Sequence, residues 1–142
     1  MPQIEMQHVT KYFTNEQRRF TAIDDVSLTI ERGEFVFLIG SSGAGKTTLL
    51  RLLANQIVAD EGKIWLDDVE LTRLRGWRRP VYRRNIGQVW QDASLIRKKT
   101  VRQNLELVQR ALGVKSKVIP ENTRKALSIV GMRAMEDRHP FE

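Results

Sequence analysis

Apolar positions follow three regimes along this chain. Between Gln3 and Val9 they alternate loosely with polar ones, and Val26, Leu28 and Ile30 alternate with Ser27 and Thr29. Both stretches read as strands with one buried face. "TNEQRR" at 14–19 and the run Glu31 to Glu34 read as polar turns. Phe35 to Ile39 is apolar at every position, the pattern of a strand covered on both faces, as in parallel sheets. Gly62 to Leu66 and Ile86 to Trp90 read as two more short strands, with a turn at Asp67-Asp68. The helical period appears from Lys46 to Asn55 and again in the last third. Val101, Leu105, Val108 and Leu112 share one helix face, with Thr100 as N-cap and Gly113 as stop. Pro120 to Val130 reads as a second helix, closed by Gly131. Strands first, strand and helix alternating next and helices last predict an α/β fold with a helical annex.

One interruption breaks this pattern. "LIGSSGAGKTTLL", residues 38–50, passes from apolar strand to leucine-rich helix through three glycines, a lysine and two threonines. Gly40-Ser41-Ser42-Gly43-Ala44-Gly45-Lys46-Thr47 satisfies G-x-x-x-x-G-K-[ST]. Glycines let the backbone turn tightly and bring its N–H groups to phosphate oxygens. The helix that follows points its positive end at the same anion. Lys46 adds a full charge near the β- and γ-phosphates, and Thr47 offers a hydroxyl to Mg²⁺. The flanking strand and helix are the setting this motif requires, so the turn is shaped for a nucleoside triphosphate.

Composition adds limits. The 142 residues fit one domain or slightly less, and 41% hydrophobic with 29% charged is an ordinary globular mix. There is no cysteine, so disulfides and thiolate metal sites are excluded. "MPQIEMQHVTKYF" lacks the apolar core of a signal peptide, and no run approaches the ~20 apolar residues of a membrane span. Charge matters more: 24 Lys+Arg against 17 Asp+Glu give +7. From Arg73 to Arg84, "RLRGWRRPVYRR" holds six arginines and no acid. Such a run binds the phosphates of nucleic acid, binds an acidic membrane surface, or is simply solvated surface, its commonest fate. Trp77 and Tyr82 would supply the stacking rings of a single-strand binder.

"MPQIEMQHVTKYF", "AIDDVSLTIERGEFVFLIGSSGAGKTTLLRLLANQIVADEGKIWLDDVELTRL" and "RRNIGQVWQD" together resemble the nucleotide-binding domain of ABC-type ATPases. The resemblance covers the chain from Ile4 onward and is nearest to the FtsE-like branch, through "SGAGKTTLL", "GKIW" and "RPVYRRNIGQVWQD". It implies an α/β phosphate-loop NTPase fold with an N-terminal antiparallel β part, residues 1–91 as β and core part and 92–142 as helical subdomain. It implies ATP and Mg²⁺ as cofactors. Phe13, or the neighbouring Tyr12, would stack on adenine; Gly40 to Thr48 would hold the phosphates, with Thr48 near the α-phosphate. Lys46 and Gln91 would serve catalysis, and Thr47 and Gln91 the metal. An integral-membrane subunit of the FtsX type would be the partner, at the cytoplasmic face of the bacterial inner membrane, with a homodimer in the full-length family. FtsE-like chains are also basic near 73–84, which favours the surface reading over nucleic acid. Lipoprotein-releasing, macrolide and amino-acid ABC systems share the same loops and remain alternatives, as do a nucleic-acid-associated phosphate-loop protein and a fragment that binds without turnover.

The family's signature motif, its second aspartate motif with the catalytic glutamate, and its switch histidine do not occur in these 142 residues. The resemblance therefore predicts negligible ATP hydrolysis by this polypeptide alone. It also predicts a marginal or aggregation-prone fold, because the neighbours of strand 35–39 would come from later in such a chain. His8 reads as a strand residue and His139 as loop, neither with a role.

Overall fold

The computed structural model describes residues 3–16, 18–90 and 95–140. The chain divides into two compact units, Met1–Gln88 and Val89–Glu142.

The first unit is built on a four-stranded antiparallel sheet in the order β2-β1-β3-β4. Its strands are β1 (Ile4–Thr14), β2 (Arg19–Ile30), β3 (Glu61–Leu66) and β4 (Val69–Glu70). The loose alternation in β1 has a physical cause. Met6 and Val9 are both buried although they stand three apart, which a regular pleat forbids. The register slips between Met6 and Val9 against β2 and between Gln7 and Thr10 against β3, with His8 at φ 49. This is a β-bulge that turns both side chains to one face. Gly62 faces it at φ +80, where an added Cβ would strike the carbonyls of Gln7 and His8. The first helix, α1 (Lys46–Leu53), lays Leu49 and Leu52 onto Met6, Val9, Ile23, Ile64 and Leu71 to close the core. A short helix α2 (Arg78–Arg83) follows.

Two expected strands are absent. Phe35–Ile39 has no ladder partner among the described residues, and Phe35, Phe37 and Ile39 are 84%, 76% and 88% exposed. An extended apolar segment becomes a strand only when neighbours take its amide and carbonyl groups. All described pairings are antiparallel, so the parallel setting expected from its composition is not seen. Ile86–Trp90 is also irregular: Ile86 donates to the Arg83 carbonyl (3.1 Å), continuing the turn that ends α2.

The second unit carries α3 (Val101–Ala111) and α4 (Ile119–Ile129). Thr100 caps α3 as expected, and Gly113 and Gly131 follow the two helices at positive φ, as helix stops do. Asn104 is buried and pins the segment before α3. Its amide donates to the carbonyls of Ile96, Lys99 and Thr100, and its oxygen accepts from the Ile96 amide (2.8 Å). Ile119, Thr123 and Leu127 form the buried face of α4, where Gln109 of α3 donates to the Thr123 hydroxyl (2.8 Å).

Candidate functional site

The glycine loop runs from Gly40 to Gly45 into α1. Gly43 and Gly45 both sit at φ +82, the left-handed region that side chains with a Cβ avoid. Their surroundings differ. Nothing lies within 4 Å of a Cβ added at Gly43, whereas one at Gly45 would strike the Ala22 carbonyl and approach Ile23 Cδ1 at 2.9 Å. Gly45 is therefore where the loop is seated on β2, and its missing side chain permits that approach. It is also the N-cap of α1, with no side-chain cap and no acidic residue in the first turn. The amides of Lys46, Thr47 and Thr48 have no acceptor among the described residues, as at any helix start left uncapped.

Lys46 folds back over the loop. Its Nζ donates to the carbonyls of Gly40 (2.7 Å) and Ser41 (2.6 Å), and it has no carboxylate partner among the described residues. A positive side chain and uncapped amides thus belong to one partly exposed turn, which is an arrangement deficient in negative charge. Thr47 is exposed and Thr48 half-buried. No three His, Asp or Glu residues gather as a metal cage among the described residues. A divalent ion here would rely on the Thr47 hydroxyl and on oxygens that the anion itself brings, which suits a magnesium–triphosphate pair.

Phe13 lies near the end of β1, directly across from Phe20 of β2. The rings stack at 5.7 Å with an interplanar angle of 28°, and Lys11 Nζ lies 5.6 Å from the Phe13 centroid. Phe20 was not singled out from the sequence; the signal was its place opposite Phe13 across the 14–19 turn. Tyr12 beside it is engaged. Arg19 lies 3.5 Å over its ring, and its hydroxyl donates to Glu61 (3.1 Å), a bond that holds the phenol above its usual pKa range. Asp60 braces the same strand. Burial pushes its carboxyl up, but the Tyr12 amide (2.7 Å) and the Lys11 ammonium (3.0 Å) outweigh that and hold it below the ordinary range. Among the described residues no hydrogen bond or ring contact joins Phe13 to the glycine loop. Gln91 lies outside the described residues.

The sheet, the uncapped helix and the lysine-closed glycine turn define a phosphate-loop fold. The sequence model described as "ABC transporter" matches residues 23–141, and the chain belongs to that family. It is similar to the methionine import ATP-binding protein MetN 4 of Oceanobacillus iheyensis, 35% identical over 98% of this chain and 40% of that protein. It is 36% identical to the cell division ATP-binding protein FtsE of Mycobacterium tuberculosis, over 98% of this chain and 60% of that one. The chain thus spans 40–60% of the length of these curated relatives. Among solved structures it resembles the dimeric, post-hydrolysis state of the ATP-binding cassette MJ0796 bound to ADP and Pi. That match has a TM-score of 0.87 at 25% identity, over 96% of this chain and 61% of the other.

Proposed function

We propose that residues 40–48 bind the triphosphate of ATP with Mg²⁺, as the nucleotide-binding part of an ABC-type ATP-binding subunit. The observation that carries this is the Lys46 ammonium held on the Gly40 and Ser41 carbonyls beside an uncapped helix start. In this reading the loop from Gly40 to Thr48 would hold the phosphates, Lys46 would neutralise the β- and γ-oxygens, and the Thr47 hydroxyl would be a ligand to the metal. Mg²⁺, when bound, draws charge from the phosphate oxygens as a Lewis acid. Phe13, with Phe20 behind it, offers the adenine a stacking face. Gln91 would serve the metal and the attacking water in hydrolysis by the whole protein. A homodimer and an integral-membrane partner at the cytoplasmic face complete the assembly.

Within the family, the FtsE-like segment "RPVYRRNIGQVWQD" favours a partner of the FtsX type and a role in cell division. The methionine-import relatives, at comparable identity, support an importer as the second reading. Co-purification with a four-span FtsX-type protein, or instead with an import permease, separates the two. Binding itself is tested by titrating a fluorescent ATP analogue with Mg²⁺. Lys46→Ala removes a charge-assisted bond and weakens affinity by at least about tenfold. Equal affinity of wild type and variant contradicts the assignment.

A further inference from the structure

The arginine-rich segment has no part in the site above. Its side chains sort into two sets. Arg79 and Arg83 are half-buried and serve the fold, donating from Nε to the carbonyls of Leu74 (2.6 Å) and Asn55 (3.0 Å). Arg73 pairs with Glu70 at 2.9 Å. Arg75, Arg78 and Arg84 are exposed and have no carboxylate partner among the described residues. Between them stand two exposed apolar side chains one helical turn apart, Trp77 at 73% exposure and Val81 at 47%. Arg78 lies 5.8 Å from the Trp77 ring centroid.

From this combination we propose that α2 and the turn before it dock on an anionic lipid surface. Trp77 and Val81 enter the headgroup boundary, and Arg75, Arg78 and Arg84 pair with lipid phosphates. A tryptophan flanked by guanidinium groups is the composition that settles at a membrane–water interface. An exposed valine gains from hydrocarbon and has nothing to offer a nucleobase. Tyr82 decides further against single-stranded nucleic acid, which takes successive aromatic rings. Its hydroxyl donates to the Leu66 carbonyl (2.9 Å), its ring packs against the core, and burial raises its pKa, so Trp77 is left as the lone platform of the segment. No helix among the described residues is long and apolar enough to cross a membrane. The proposed contact is independent of the nucleotide reading, since none of these residues belongs to the glycine loop.

The test is co-sedimentation of the chain with phosphatidylglycerol–phosphatidylcholine vesicles and with pure phosphatidylcholine vesicles, alongside titration with a single-stranded oligonucleotide. Binding to the anionic vesicles that weakens with salt is expected. Each arginine contributes about fivefold, so the triple variant Arg75→Gln, Arg78→Gln, Arg84→Gln binds about a hundredfold more weakly. The triple Lys variant, which keeps the charge, retains most of the binding and shows that the loss is not misfolding. Vesicles shift tryptophan emission to the blue in wild type, and Trp77→Phe abolishes that shift. Equal binding to neutral vesicles, full binding by the triple Gln variant, or arginine-dependent binding to the oligonucleotide without vesicle binding overturns the proposal.

Discussion

Helices α1 and α3 begin in opposite ways. At α3 every early donor is taken. The Val101 amide donates to the Arg138 carbonyl and the Arg102 amide to the Glu136 carbonyl, both at 2.9 Å. The Gln103 amide donates to the Thr100 hydroxyl, and the Gln103 side chain accepts from the Thr100 amide in a capping box. At α1 the cap is a glycine with no side chain to offer, and the nearest charge is Lys46, which adds to the positive end of the dipole instead of opposing it. A helix start that serves only stability is closed by its own chain. One that adds a positive charge to its own uncapped end is what the proposed anion site requires.

That contrast can be strained in several ways. The largest effect belongs to Gly45→Val, which places a branched side chain at φ +82 against the Ala22 carbonyl. We expect a loss of about 3 kcal/mol or more by chemical denaturation. Gly43→Ala has the same φ but open space, and loses only about 1 kcal/mol; equal losses at the two positions would mean that β2 does not seat the loop. Thr100→Ala removes the cap of α3 and lowers stability by about 1 kcal/mol without touching nucleotide affinity. The smallest change is the most instructive. Thr48→Glu puts a carboxylate in the first turn of α1, raising the stability of the free protein by about 0.5 kcal/mol while weakening MgATP. A carboxylate there that neither stabilises nor competes would show that the α1 start is not an anion site.

What was legible in the sequence was local chemistry. The glycine loop, the helix after it, the Thr100 cap and the stops at Gly113 and Gly131 depend on neighbours a few residues away. What was not legible depends on distant partners. Phe35–Ile39 and Ile64 both look like buried strand, yet Ile64 is 2% exposed and Ile39 88%, because β3 has β1 to bond to and Phe35–Ile39 has no described neighbour. The β1 bulge hid Val9 from a period-two reading, and its need for Gly62 is set by a contact across strands. The acceptors at the start of α3 come from residues 136 and 138, which no helix pattern announces. Of the candidate site, Lys46 Nζ meets the Gly40 and Ser41 carbonyls. Phe13 has a ring partner, Phe20, placed opposite it by the hairpin register.

The most direct measurement is a backbone-amide NMR titration with MgATP. The account predicts large shifts at Gly43, Gly45, Lys46, Thr47 and Thr48, needing at least about tenfold more MgATP in Lys46→Ala, with the amides of Val101 to Asn104 unmoved. Shifts absent from the loop, or unchanged when Lys46 is replaced, would contradict it.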